Sequence, residues 1–242
     1  MDRKRNFVTY AHRGASEYCP ENTFMSFYMG MQMGANGIET DVQKTKDGIP
    51  VLFHDRTLER MCGVDGGIGD YTWEELQRLD VKKGDLCDKI PTLEDFLAHF
   101  AHRDITFAME LKGADVEADV ADLIFRFHME NKCVVTSFSM DFLKRIKEIA
   151  PSLRVGYLTK TIDDSVIGTL LDMGAYEICP DGRLEIDADA VAEWHRMGLN
   201  VRAWGIADDE IMKRAYDAGV DGMTVNFPDR LLRYIAETGQ DK

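Results

Sequence analysis

The stretch DDEIMKRAYDAGVDGMTVN, residues 208–226, contains one complete phrase of this chain. It opens on acids, runs through an amphipathic segment, closes on a glycine and ends in a short β-branched run. Acids at the head of a helix suit the positive end of its macrodipole, and glycine suits the left-handed position just past the last turn. The same join of glycine to short strand returns in MGANGIE (33–39), MGAYEI (173–178) and MGLNVRAW (197–204). A repeated helix–strand unit of similar length is the pattern of a parallel sheet covered by helices.

Working outward, short apolar or β-branched runs alternate with longer amphipathic ones. The candidate strands are FVTYA (7–11), GIETDVQ (37–43), ITFAMEL (105–111), CVVTSF (133–138), RVGYL (154–158), YEICP (176–180), NVRAW (200–204) and GMTVN (222–226). Helical patterns fall between them. TFMSFYMGMQMG takes Thr23 or Asn22 as its N-cap, and SMDFLKRIKEIAP takes Ser139 as cap and Pro151 as stop. About eight such units in roughly 250 residues is the size of a (β/α)8 TIM barrel, an α/β fold. A doubly wound open sheet would carry an early G-x-G-x-x-G opening a helix, and the chain has none. Residues 55–91 break the rhythm. They are too long for an ordinary strand-to-helix loop and read as a small insertion after strand 2, within a single domain spanning 1–242.

The 242 residues are 45% hydrophobic, enough for one large core. A formal net charge of −14 disfavours a nucleic-acid partner, and an anionic substrate would need a local cation to bind. The five cysteines are scattered and form no C-x-x-C, which reads as reduced thiols in a cytosolic protein. No signal peptide, transmembrane stretch or stable membrane anchor stands out, so the expected location is cytoplasmic. The oligomeric state is not legible.

Glu39 and Asp41 stand two apart in one candidate strand and so share a face. Two carboxylates side by side resist burial, and a divalent cation removes that penalty. Glu110 and Lys112 repeat the spacing on the third strand. Three carboxylates from neighbouring strands make an all-oxygen site suited to Mg²⁺ or Ca²⁺. A structural ion network with Arg13 or Lys112 is the alternative for any one acid alone. His12 ends the first strand and His54 ends a further apolar run, GIPVLFHD. Both suit general acid–base work near neutral pH, with metal ligation as the other role open to them. Arg13 offers a fork for phosphate and Lys112 a point charge. His99, His102, His128 and His195 lie in helical patterns and read as structural.

AHRGASEYCPENT, GIETDVQKTKDGIPVLFHDRTLER, MELK, VRAWGI and GVDGMTVNFPDRL together, in this order from about Val8 to Leu232, closely resemble the glycerophosphodiester phosphodiesterases. The resemblance implies a TIM barrel with an insertion after strand 2. It implies hydrolysis of a small glycerophosphodiester to sn-glycerol 3-phosphate and an alcohol. His12 and His54 would be acid and base. Glu39, Asp41 and Glu110 would hold one divalent metal ion, Mg²⁺ or Ca²⁺. Arg13 and Lys112 would contact phosphate. Glu21 and Asn22 would brace the first loop or reach the site, with a helix cap as the other reading of Asn22. Trp204 would wall the glycerol or the leaving group, or fill the barrel top. Lysophospholipid cleavage of the phospholipase D kind, and a non-catalytic phosphodiester-binding barrel, are the rival functions. Gly205, where the family often has a larger residue, and Asn226, where it often has aspartate, depart from the pattern and are expected to touch neither the histidines nor the metal acids.

Overall fold

A computed structural model describes residues 7–113 and 115–239. Eight parallel strands close into a barrel: β1 (Val8–His12), β2 (Gly37–Lys44), β6 (Thr106–Leu111), β7 (Cys133–Ser137), β8 (Arg154–Thr159), β9 (Glu177–Pro180), β10 (Asn200–Ile206) and β11 (Gly222–Val225). They follow one another around the ring in sequence order. Closure comes from β1, which pairs with β2 on one side (His12 opposite Glu39) and with β11 on the other (Ala11 opposite Val225). This is the (β/α)8 barrel expected from the alternation. All eight expected runs lie on barrel strands, their ends displaced by one or two residues.

The helices between strands are α1 (Phe24–Gln32), α4 (Leu93–Phe100), α5 (Glu117–Arg126), α6 (Met140–Ile149), α7 (Asp164–Asp172), α8 (Ala188–Arg196) and α9 (Asp209–Ala218), with α10 (Pro228–Gly239) after the last strand. Their acidic or hydroxyl starts act as caps. Asp163, Asp187 and Asp208 each accept a backbone N–H from the first turn, as do Thr23 and Ser139. Caps of this kind fix where each helix begins, and so where each strand end opens into the mouth.

Within 55–91 the sequence reads as a Gly-rich turn and one short helical piece, TWEELQRL, which the structure has as a helix at Trp73–Leu76; the rest of the segment's make-up comes from the structure. A short strand β3 (Pro50–Leu52) first folds back antiparallel on β2. Between it and α4 lie two single-turn helices, α2 (Glu59–Cys62) and α3 (Trp73–Leu76), and the hairpin β4 (Asp80–Lys83) and β5 (Leu86–Lys89). These pieces bury a separate small core of Leu58, Met61, Ile68, Leu76, Val81 and Ile90 with Val51 and Phe53. The hairpin reaches over the start of α1, where Asp88 accepts the N–H of Met25 and Lys83 donates to the carbonyl of Ser16. The segment is thereby anchored over the loop that follows β1.

Candidate active site

β1 ends at His12, and the next residues turn sharply. Arg13 and Asn22 both adopt left-handed backbone, φ 56° and 55°, an uncommon conformation for residues with side chains. Gly14 (φ 81°) follows, with the backbone of Ser26 so close that a Cβ would lie 2.3 Å from it. Hydrogen bonds hold this turn. The Arg13 N–H donates to the Glu39 carbonyl at 2.9 Å, and the Arg13 carbonyl accepts from Asn22 N–H and Ser26 Oγ. Thr23 caps α1, so Asn22 is free for another task. Its amide donates to Asp41 Oδ2 at 2.9 Å, and its oxygen accepts from Thr40 Oγ1 at 2.7 Å.

Glu39 and Asp41 point inward from β2, and Glu110 lies beside Asp41 on β6. One oxygen of each can be chosen so that all three lie within 4.8 Å of one another. All three residues are buried. Arg13 Nε stands 3.2 Å and Lys112 Nζ 3.3 Å from Asp41, and Lys112 Nζ 2.6 Å from Glu110. These cations hold Asp41 well below the usual carboxylate range, against the cost of its burial. Burial and the charge of Asp41 push Glu39 well up, and the same two causes push Glu110 up to about 7. The positive charge present therefore satisfies one acid and leaves two strained. Asp41 Oδ1 accepts no hydrogen bond among the described residues. A buried oxygen that faces one ammonium at 3.3 Å yet accepts no hydrogen bond, within an all-carboxylate group, fits a hard divalent cation.

The two histidines reach the same cavity and have different partners. His12 Nδ1 lies 2.5 Å from Asn226 Oδ1, and Ser16 Oγ donates to the same oxygen. With Nδ1–H donating, Nε2 carries the lone pair, 3.8 Å from Glu39 Oε2. Burial, and secondarily the Arg13 guanidinium, lower His12 to about 3. His54 Nδ1 instead lies 2.7 Å from the carboxylate of Asp55. Burial lowers His54 as well, opposed by Asp41 and Asp55. Asn226 was expected to stay clear of the histidines. It is the direct partner of His12, brought there across 214 residues by the pairing of β1 with β11.

Glu21 accepts from Arg13 Nη1 at 2.8 Å and from both terminal nitrogens of Arg60. Arg60, on α2 of the inserted segment, also grips both oxygens of Asp55, at 2.5 and 2.9 Å. A second group of possible ligand atoms, Glu21, His54 and Asp55, is thus bridged by a guanidinium. Sequence reasoning missed Asp55, Arg60 and Asn226 as parts of the site. The first two stood in the quoted run HDRTLER, so the signal was present.

The cavity has a volume of about 440 Å³. His12, Arg13, Glu39, His54, Glu110 and Lys112 line one end, and Phe138, Lys160, Arg183 and Trp204 the other. Trp204 lines this end of the cavity. Its ring meets Phe138 edge-on at 4.8 Å, and its Nε1 donates to the Cys179 carbonyl. Gly205 follows at a register break in β10 with φ 69°, and a Cβ there would come within 2.8 Å of Asp181 Oδ1. Among the remaining histidines, His99 stacks on Phe24 and His195 bonds Asp221, in keeping with structural roles.

The model of the glycerophosphoryl diester phosphodiesterase family matches residues 12–230. The chain belongs to this family. It is 32% identical over 241 residues to a glycerophosphodiester phosphodiesterase of Caldanaerobacter subterraneus subsp. tengcongensis, covering 96% of this chain and 99% of that protein. A second, from Bacillus altitudinis, is 30% identical, with 94% and 98% covered. Among solved structures, an Oleispira antarctica phosphodiesterase in complex with the product sn-glycerol-3-phosphate superposes with a TM-score of 0.85 at 25% identity, covering 95% of this chain and 96% of that one. The glycerophosphodiester phosphodiesterase of Agrobacterium tumefaciens gives 0.84 at 25% identity, with 94% and 99% covered. This family member is therefore a phosphodiester hydrolase on a TIM barrel. No helix among its described residues is long and apolar enough to cross a membrane.

Proposed function

We propose that this protein hydrolyses small glycerophosphodiesters to sn-glycerol 3-phosphate and an alcohol, with a Mg²⁺ or Ca²⁺ ion held by Glu39, Asp41 and Glu110. The observation that carries the reading is the oversupply of buried carboxylate beneath a cavity that two histidines share. The product in the Oleispira relative supports the substrate class. When bound, the ion would neutralise phosphoryl oxygens as charge grows on them.

The chain's own groups account for the remaining chemistry. Arg13 and Lys112 offer donors to the diester phosphate, and together with the ion that the acids would hold they would turn the local field positive inside an otherwise acidic protein. Glu21, braced by Arg60, fixes the Arg13 fork. The glycerol 2-hydroxyl attacks phosphorus, forming one P–O bond as the bond to the leaving alcohol breaks. One of His12 and His54 takes the hydroxyl proton at Nε2, and the other gives a proton to the departing alkoxide. Water then opens the cyclic phosphate with the proton transfers reversed. Asn226 and Asp55 fix which nitrogen of each ring faces the cavity.

The deciding experiment is release of sn-glycerol 3-phosphate from a glycerophosphodiester in EDTA, then with Mg²⁺ or Ca²⁺ restored. Release that depends on the ion is expected. A folded protein that releases none with either ion would overturn the reading.

A further inference from the structure

The far end of the cavity carries charges that phosphate chemistry does not use. The site end is occupied by the acids, the histidines, Arg13 and Lys112. The glycerol and phosphate common to all such diesters fill only part of about 440 Å³. The remaining room, along the ends of β7 to β10, falls to the variable alcohol. Its wall is the Phe138–Trp204 pair, and aromatic walls are the usual means of holding a quaternary ammonium.

Here the rings are already attended by the protein's own cations. Lys112 Nζ lies 5.8 Å and Lys160 Nζ 5.9 Å from the centre of the Phe138 ring. The Arg183 guanidinium lies 5.9 Å from that of Trp204. Asp181, buried behind this wall, bonds Arg183 twice, at 2.8 and 2.5 Å. Gly205 is what admits that carboxylate, since a side chain there would collide with it.

The other cations of the cavity are also paired: Arg13 with Glu21 and Asp41, Lys112 with Glu110, and Arg202 with Glu177. Lys160, exposed just past β8, makes no ion pair within 4.0 Å among the described residues, although its charge reaches Asp181, which is bonded to Arg183. A choline head group would face the like charge of Lys160. An anionic one would meet an unpaired ammonium, with the Arg183 fork beside it.

We propose that this arc is a head-group subsite, built around Lys160, that selects glycerophosphodiesters whose leaving alcohol carries a second anionic group, a phosphate monoester or a carboxylate. The proposal rests on the glycerophosphodiester reading above and narrows it.

The test uses four diesters with head groups of similar size: glycerol phosphate, glycerate, glycerol and choline. The two anionic diesters should show the highest kcat/KM and the choline diester the lowest. The phosphate and glycerate arms tell the two sources of charge apart. Lys160→Ala should cut the ratio of anionic to neutral kcat/KM by about 3–5-fold, the scale of an exposed charge contact. Lys160→Glu should bring the ratio below one, and Lys160→Arg should keep it. The wild-type ratio should shrink at high salt.

Calorimetric binding of the same diesters to His54→Ala protein reads the subsite without turnover. A choline preference, or an ordering that ignores Lys160 in both assays, overturns the proposal. Charge ordering in binding without turnover by the wild type would overturn the reaction and leave the subsite standing.

Discussion

Two groups of buried charge sit inside the same barrel and are balanced differently. In the second half, Arg202 on β10 meets Glu177 on β9 at 2.9 Å, Thr224 Oγ1 at 2.6 Å and Cys179 Sγ at 3.3 Å, with its guanidinium 5.1 Å from the Tyr10 ring. One cation answers one acid, and the donors find partners. In the first half, three acids share two cations, and Asp41 Oδ1 is left without a hydrogen bond. The acids of both groups are buried, so burial of a carboxylate alone does not mark a site. What marks it is imbalance. A buried ion pair that closes on itself locks a fold, whereas one that leaves charge over awaits a ligand.

The sharpest way to break this comparison is to remove charge from each group in turn. Glu39→Gln should lower turnover by about 10²–10³-fold, the scale of a lost transition-state contact. It should also raise metal-free stability by about 0.5–1 kcal/mol, because it removes a repelled and desolvated carboxylate. Denaturant unfolding beside a rate assay checks both, and a destabilised Glu39→Gln protein would erase the distinction. Arg202→Met should do the reverse, costing about 3–5 kcal/mol by leaving Glu177 buried without a partner. Adding Glu177→Leu should recover most of that loss.

The cation should favour one group only. Mg²⁺ or Ca²⁺ at about one hundred times its dissociation constant should stabilise the wild type by about 2.7 kcal/mol. Glu39→Gln should lose most of that gain and Arg202→Met should keep it, as read by thermal shift.

The smallest effect concerns the inserted segment. Arg60 holds Asp55 down to about 2, first by its hydrogen bonds. A depressed carboxylate gives stability that is present above the unfolded value of about 3.9 and lost as pH falls through about 2. Asp55 is partly solvated, so the contribution should be about 0.5–1 kcal/mol. Arg60→Ala should remove most of it at pH 6 and very little at pH 2.

The legible parts of this molecule are those set by near neighbours in sequence. Two-residue spacing places Glu39 beside Asp41, and the strand–helix rhythm places β2 beside β6. The family motifs then give His12, His54 and Arg13 together. The obscure parts depend on contacts across the ring. Asn226 looked unconnected to the histidines because only barrel closure brings it to His12. Arg202 read as one residue of an ordinary strand, since its acid lies 25 residues away. Arg60 stood inside a quoted motif, yet its double grip on Asp55 and Glu21 requires the fold of the inserted segment. Lys160 carried no signal, because being unpaired is a property of its surroundings.

The pairing of β1 with β11 has a temporal consequence. His12 is made with the first strand and Asn226 with the last, so a chain leaving the ribosome can gather its three acids long before it can orient that imidazole. If His12 is the proton carrier proposed above, turnover waits for the final stitch of the ring.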